Sequence, residues 1–543
     1  MLIITFCAGY VALMSSRVQT LIVQSITDDL SQKLGTQISI RKVDFRFFNK
    51  FVLKDFLIRD QRNDTLVFSQ ALVVGVDSLS FNEQKVYSNN ISLEKAYINS
   101  ICYKDSSNYN YMFLVDSLGS STPSENKSPW QFTLNHVGIS EARIKNNNQN
   151  VSEKEGQFDY NHIDLKDILI DFYTEKKDST LLFRLDHFSM KEQHSLEIKN
   201  ISGEMKRDAQ NIYIKDFHIK TGFSDLKMDS CFMKLRNDST EIDINKRPFI
   251  LQLAPSSVSL KEVAYFVPEL QGMEEKVSIK GKIKGPISNL KIKDLGVRLR
   301  KNTMLSGNLS FMGLPNIKNT FIFAKLDRAV VDLQEVRKIK MPLSFGEEYL
   351  QLPASIENQH KLYYKGEFTG FPSDFVCFGT MSGALGQIDT DIAIRPDNNG
   401  RINVSGAFNT TNFKLGGMIN SKSINQLTLR SNIQGYYTEN GKYDMKVIGT
   451  IDEIQLKDYI IHSIYLNGQA YTGGFSGGIR IEDPNLNLNF DGKADYLADI
   501  PNYDFNLDVE NFVPAFLKIG EPSRIDTLNI NVDAKFSGNS IDN

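Results

Sequence analysis

The feature that most constrains this chain is strict alternation of apolar and polar residues. In LNLNFDGKADYL, Leu486 to Leu497, the side chains of Leu486, Leu488 and Phe490 alternate with Asn487 and Asn489. Successive side chains of a strand point to opposite faces, so such a segment has one apolar and one polar face. The pattern returns in Phe505, Leu507 and Val509, and again in Leu528, Ile530 and Val532. In a sandwich these residues would meet an opposing sheet. In a single curled sheet they would line a trough, and both packings require the same alternation.

Alternation begins early in the chain. Ile38 and Ile40, then Val43, Phe45 and Phe47, occupy alternate positions, and the step of three from Ile40 to Val43 shifts parity as a bulge or bend would. Apolar runs on either side of the polar turn RDQRND then have the grammar of a hairpin. Asp60 and Asp64 in that turn lack the glycine and distal glutamate of a calcium loop, so a plain turn is expected. The Ser- and Pro-rich stretch Ser117 to Pro129 reads as a linker, with Trp130 opening the next strand series. After residue 35, helical spacing is confined to Ser259–Leu270 and Asp332–Ile339.

The N-terminal MLIITFCAGYVALM is free of charge, and Leu2, Ile3, Ile4, Phe6, Val11 and Leu13 are candidate membrane-anchor residues. It is shorter than the roughly 20 residues that span a hydrocarbon core, so a transmembrane helix lacking its first turns is expected. Val18, Leu21, Ile22, Ile26, Leu30 and Leu34 then fall at helical spacing, and Gly35 is placed to stop that helix. The second half contains a loose repeat around glycine. From Gly370 through Gly406, Gly449 and Gly492 to Gly538 the intervals are 36, 43, 43 and 46 residues. Gly285 and Gly313 have similar surroundings. Each glycine is read as a turn between strands. The last unit, KFSGNSIDN, stops where Leu290 follows GPISN, so both ends of the chain are expected to continue in a longer protein.

Lys and Arg number 62 against 65 Asp and Glu, with a sequence pI about 6.2. No basic field exists for a nucleic-acid backbone. Cys7, Cys102, Cys231 and Cys377 are separated by 95, 129 and 146 residues, so they read as single buried thiols with no zinc site. GFSGG, Gly474 to Gly478, matches the nucleophile-elbow pattern, but Pro484 and the alternating LNLNF follow with no room for the required helix. It is read as a glycine-rich hairpin turn. No catalytic, cofactor-binding or metal residues are assigned.

The segment Leu30 to Val76 resembles the N-terminal region of the AsmA-like proteins, particularly the TamB type of Bacteroidetes-like bacteria. The matching positions are Leu34 to Thr36, Ile38, Ile40, Leu53, Asp55, Ile58, Asp60 and Asp64 to Leu66. WQFTLNHVGI and FDYNHIDLKDILI also look like that group, and the likeness covers about the first 170 residues best. The resemblance implies a single-pass inner-membrane protein of a Gram-negative cell, with its bulk in the periplasm. It further implies a long curled antiparallel sheet whose apolar groove carries phospholipid toward the outer membrane, and for the TamB type an outer-membrane barrel partner. The C-terminal domain that would meet that partner is expected to lie beyond this sequence.

The expected fold is therefore mainly β: an anchor helix, then a long curled antiparallel β sheet forming a groove, with a few short helices. The expected regions are 1–35 (anchor and amphipathic helix), 36–116, a linker at 117–129, and the groove repeats 130–543. At about 12 residues per strand and turn this gives around forty strands, and on the order of 190 Å of sheet at ~4.8 Å per strand. The candidate lipid-facing residues are Ile38, Ile40, Val43, Phe45, Phe47, Leu486, Leu488, Phe490, Phe505, Leu507, Val509, Leu528, Ile530 and Val532. The partners expected are phospholipid acyl chains and the inner membrane. The alternatives are an outer-membrane protein assembly factor that pairs strands at a sheet edge, and a secreted β-solenoid enzyme or adhesin.

Overall fold

The structure is a computed structural model that describes residues 15–46, 50–80, 85–119, 131–194, 196–235, 246–346, 348–352, 360–419, 421, 423–497, 500–514 and 527–538. It divides into two compact units. The first holds residues 1–242, 247–279 and 342–346, and the second holds 243–246, 280–341 and 347–543.

In the first unit, helix α1 (Ser16–Leu34) precedes β1 (Ile38–Arg46), β2 (Lys50–Arg59), β3 (Thr65–Ser80), β4 (Lys85–Glu94) and β5 (Tyr97–Cys102). Helix α2 (Met112–Gly119) follows, then β6 (Gln131–Leu134), β7 (His136–Asn148), β8 (His162–Lys177), β9 (Thr180–Glu192) and β10 (Glu197–Arg207). The unit continues through β11 (Asn211–Thr221), β12 (Asp225–Lys234), β13 (Phe249–Ser259), helix α3 (Leu260–Phe266) and the start of β14 (Lys276–Gly285). Strands β1 to β4 pair antiparallel in sequence order, as do β7 to β13. Between those runs, β4 pairs with β6 and β7, and β5 with β7, in parallel. Parallel neighbours require a long crossover, and residues 103–130 provide it. The stretch read as a linker therefore joins strands of one sheet, and its first residues lie in α2.

The second unit is a plain antiparallel meander. It runs through β15 (Asn289–Leu299), β16 (Thr303–Met312), β17 (Phe321–Asp332), helix α4 (Leu333–Val336), β18 (Lys361–Phe371), β19 (Asp374–Gly383) and β20 (Gly386–Pro396). Next come β21 (Arg401–Phe413), helix α5 (Leu415–Ile419), β22 (Ile424–Thr438), β23 (Tyr443–Leu456) and β24 (Tyr459–Tyr471). It closes with β25 (Gly474–Asp483), β26 (Leu486–Asp495), β27 (Asn502–Phe512) and β28 (Leu528–Ser537). Each strand pairs antiparallel with the next. The described residues hold 28 strands rather than around forty, because most strands are ten to sixteen residues long.

Helix α1 ends at Gly35 with φ 62°, as the sequence indicates. Of its apolar residues Leu21 is 65% exposed while Val18 and Leu34 are half-buried, and the polar Gln19 and Thr27 are buried. The polar side chains serve the free edge of β1. Ser16 Oγ donates to Val43 O, Thr20 Oγ1 accepts from Val43 N, and Ser31 Oγ accepts from Ile38 N. A helix thus supplies the hydrogen bonds that a neighbouring strand would otherwise make, which closes an edge open to pairing. Among the described residues no helix is long and apolar enough to cross a membrane. The anchor candidates Leu2, Ile3, Ile4, Phe6, Val11 and Leu13 lie outside the described residues.

Strands are bent by single residues in the left-handed region. Asp55, Glu141, Asp167, Asp216, Asp294, Asn412, Ser463 and Asn511 all sit inside strands with φ between 48° and 53°. Asp and Asn tolerate this conformation best. An extra residue held there kinks the strand and turns the next side chain inward. Ala142, Ile168, Leu295, Phe413 and Ile464, each next after such a residue, are buried. Four of these sites carry one sequence signature: Leu53-Lys54-Asp55, Leu165-Lys166-Asp167, Ile214-Lys215-Asp216 and Ile292-Lys293-Asp294. The parity step between Ile40 and Val43 falls opposite Asp55, without any shift in the β1–β2 register.

The first unit has a closed core of Ala96, Ala142, Ile168, Met190, Leu196 and Tyr265, the last on α3. Tyr265 is held by its hydroxyl, which donates to Glu192, and by its carbonyl, which accepts from Phe158 N. The adjoining turn is organised by buried Asp159, which accepts from Lys154 N, Asn161 N and the His162 ring. Burial opposes its ionisation, but these donors outweigh burial and hold its pKa at about 2. An unfolded aspartate binds its proton near pH 4, above the folded value, so this stabilisation is present above that pH and fades as pH falls toward 2. Asp159→Asn is expected to remove on the order of 2 kcal/mol at pH 7 and to flatten the stability profile between about pH 5 and 2. Urea unfolding across that range checks it, and a parallel offset at every pH would contradict it.

Candidate functional site: an apolar sheet face

Residues directly opposite on neighbouring strands share a face, so the register determines what each face presents. In the second unit one row passes through Ile292, Leu309, Ala324, Phe368, Cys377, Ile392 and Gly406. It continues through Ile433, Val447, Gly468, Gly477, Gly492, Phe505 and Ala534. No polar side chain interrupts it from β15 to β28. The parallel row two residues along each strand, from Leu290 and Phe311 to Tyr503 and Phe536, is equally apolar apart from one tyrosine hydroxyl. At ~4.8 Å per strand the fourteen strands carry these rows for about 60 Å. The row between them faces the other way and reads Lys291, Ser310, Phe323, Thr369 at one end and Ser476, Lys493, Asp504, Lys535 at the other.

Glycines shape this face. Gly406, Gly449 and Gly492 lie inside β21, β23 and β26 rather than at turns, which corrects the repeat as read from sequence. Each faces the apolar side, where a Cβ would overlap an adjacent strand: Asp391 O at Gly406, Arg430 O at Gly449 and the Phe505 side chain at Gly492. At Gly492 aromatic rings occupy the space, with Phe490 and Phe505 at 5.9 Å between centroids, and Phe375, 4.7 Å from Phe368, lies against Gly370. GFSGG belongs to the same system. It opens β25, with the hairpin turn before it at Thr472–Gly473, and Ser476 lies on the polar face opposite Gln469 and Lys493.

Burial divides the face lengthwise. Near the bulged ends Leu295, Ala329, Phe413, Leu427, Ile461, Ile464, Leu486 and Val509 are buried, with α4 packed on β17 and α5 on β22. Along the two rows toward the other strand ends, Phe368, Phe375, Ile392, Val404, Ile433, Val447, Phe475 and Phe505 are only half-buried. A row beneath a second sheet would be buried like Ile168 in the first unit. Half-burial is what cross-strand neighbours alone provide. The first unit has the same division on β8 to β13. Ile168 and Met190 are closed under Tyr265, while Phe172, Phe183, Met205, Ile214, Cys231 and Leu251 of the same face are half-buried.

The sequence candidates distribute accordingly. Leu488, Val509 and Ile530 form one cross-strand row, and Phe490, Leu507 and Val532 the next. Phe505 follows beside Gly492. Leu486 opens the closed end, and Leu528 pairs with Phe512 beyond the bulge at Asn511. Ile38, Ile40 and Val43 are buried to 8%, 6% and 1% on β1 beside α1, so the protein itself covers this part of the expected lining. Phe45 pairs with Phe51 through its backbone, but its side chain, like Phe47, lies outside the described residues.

No known protein family, curated protein or solved structure matches this chain.

The polar faces carry a different feature, which alternation alone does not reveal. A groove of about 1000 Å³ crosses β8 to β13 between the row Tyr173, Arg184, Glu204, Lys215 and the row Leu182, Lys206, Tyr213, Phe232, Ile250. Two of its three cations are ion-paired, Lys215 with Glu204 at 2.7 Å and Arg184 with Asp186 at 2.9 Å, and the third is Lys206. The Asp60–Asp64 segment is a turn. Asp60 Oδ1 accepts from Arg62 N and Asp64 N, and Oδ2 accepts from the Tyr103 hydroxyl. Among the described residues no group of three or more His, Cys, Asp or Glu is placed to hold a metal ion. Cys102 is buried, whereas Cys231 and Cys377 are half-buried free thiols on the apolar face.

Proposed function

We propose that this chain is a non-enzymatic lipid conduit of the bacterial envelope, anchored in the inner membrane, whose apolar sheet face carries phospholipid acyl chains toward the outer membrane. The observation that carries the reading is the half-buried apolar row through all fourteen strands of the second unit. An acyl chain laid along it gains roughly 0.8 kcal/mol for each methylene taken out of water. Such a path lowers the barrier for lipid movement without chemistry. The AsmA-like resemblance of the first 170 residues suggests the inner membrane and the outer membrane as the two ends of the path.

The deciding measurement is mass spectrometry of lipids co-purified with the chain, compared with a Leu488→Asp/Leu507→Asp/Ile530→Asp variant. These side chains occupy neighbouring half-buried or exposed positions of the apolar face, so the charges stay near water and folding is expected to persist, as circular dichroism would verify. Phospholipid is expected in the parent and at least several-fold less in the folded variant. Equal lipid in both, or an empty parent, would overturn the conduit.

A further inference from the structure

The hairpins of the second unit fall alternately at the two ends of its strands. The connections 313–320, 372–373, 397–400, 439–442, 472–473 and 496–501 lie at the end where the apolar rows are half-buried. This rim carries exposed apolar side chains at or beside its tips: Ile317 at 66%, Leu497 at 70% and Ile500 at 59%, with Phe371, Tyr437 and Tyr443 also exposed. At the bulged end of the same unit no described large apolar side chain exceeds 42%. The equivalent hairpins of the first unit have polar tips, LysLysAspSer at 176–179 and AspAlaGln at 208–210. Within the second unit the exposed apolar tips thus gather at this rim, whereas in the first unit the exposed apolar tip, Phe223 at 57%, lies at the opposite strand end between β11 and β12.

The rim is continuous with the trough. Ile402, Tyr437 and Tyr443 form a cross-strand row that leads directly into Val404, Gly435 and Met445 of the apolar face. Between the apolar tips stand Asn316, Lys318, Asp397, Asn399 and Lys442. A protein partner needs a contiguous patch, about 800 Å² on each side with an apolar centre. Separated apolar tips suit a lipid surface, where each side chain inserts independently and tyrosines settle at the headgroup level. The turns offer no excess of cations, so attraction to anionic headgroups is not the driving contact.

We infer that the rim formed by these hairpins is a lipid-contacting lip, which seats against a phospholipid surface and lets acyl chains cross into the apolar rows behind it. This inference rests on the conduit reading of that face. It adds where the lipid passes.

The test uses the full chain with its single tryptophan, Trp130, replaced by Phe, and a new tryptophan placed by Ile317→Trp, Leu497→Trp or, as a control on a first-unit tip, Ala209→Trp. Each is mixed with vesicles of phosphatidylcholine brominated at mid-chain, which quench tryptophan on contact with the acyl region. Several-fold greater quenching is expected for I317W and L497W than for A209W, with blue-shifted emission and little change on adding salt. Equal quenching at all three sites overturns the lip. A blue shift at 317 and 497 that depends on protein concentration and ignores vesicles also overturns it, in favour of a contact between copies. The two readings fail separately. Tip quenching without co-purified lipid would remove the trough alone, whereas co-purified lipid without tip quenching would remove the lip alone.

Discussion

Gly406→Ala is expected to destabilise the second unit by about 3 kcal/mol or more, from the addition of a single methyl group. Gly406 lies inside β21 with φ 137°, a conformation that side-chain-bearing residues rarely adopt. Its missing Cβ would stand on the carbonyl oxygen of Asp391 and beside Ile392 Cα, both backbone atoms of β20. No rotamer change relieves that contact. The β20–β21 pairing must open, and the apolar row broken there continues on both sides through Ile392 and Ile433. Gly400 is the comparison. It also has a positive φ, 73°, but sits in an open turn with nothing near a Cβ, so Gly400→Asn is expected to cost well under 1 kcal/mol. Urea unfolding of the two variants checks the contrast, and equal midpoint shifts would defeat it.

That contrast also explains why the glycine repeat was legible in its spacing yet not in its meaning. A glycine beside Asn or Asp between apolar runs reads as a turn, and Gly400 and Gly441 are such turns. Gly449 and Gly492 instead run straight through strands, because the constraint comes from the neighbouring strand, Arg430 on β22 for Gly449 and Phe505 on β27 for Gly492. No local window contains that contact. The alternation, by contrast, is a local property, and LNLNFDGKAD and YDFNLDV became β26 and β27 with the expected residues sharing one face. Helices Leu260–Phe266 and Leu333–Val336 fell where helical spacing placed them. Helix α1 ends where Gly35 placed it, and its hydrogen bonds to the edge of β1 through Ser16, Thr20 and Ser31 are contacts that apolar spacing does not reveal.

The apolar face shows where sequence reasoning stops. Alternation established that Leu488, Phe490 and Leu507 face one way. Only the register showed that rows of such residues run unbroken from β15 to β28, because each row draws one side chain from every strand of the unit. The division between buried and half-buried rows depends on the bulges. Their signature, an apolar residue followed by Lys-Asp, was present in the sequence at Asp55, Asp167, Asp216 and Asp294. Strand patterning treats the aspartate as one more polar position, which hides the parity change after it.

Ile168→Ala is the sharpest test of that parity change, with an expected loss of about 2–5 kcal/mol. Ile168 is 2% exposed and packs with Ala142, Met190 and Tyr265, whereas the adjacent Leu169 is 41% exposed and pairs with Ser189. Strict alternation from Leu165 would send Leu169 inward and Ile168 outward. Asp167, at φ 53°, reverses the two by taking the extra residue of the bulge in the left-handed region. Leu169→Ala is therefore expected to cost under about 1 kcal/mol despite removing more carbon than many surface changes. Asp167→Gly, which keeps that conformation accessible, should stay close to the parent, while Asp167→Val should lose at least about 1–2 kcal/mol because a β-branched residue resists it. Thermal or urea unfolding of all four variants checks the order. A Leu169→Ala loss equal to that of Ile168→Ala would mean that the strand runs unbulged, and the closed core beneath Tyr265 would then be built from the other face of β8.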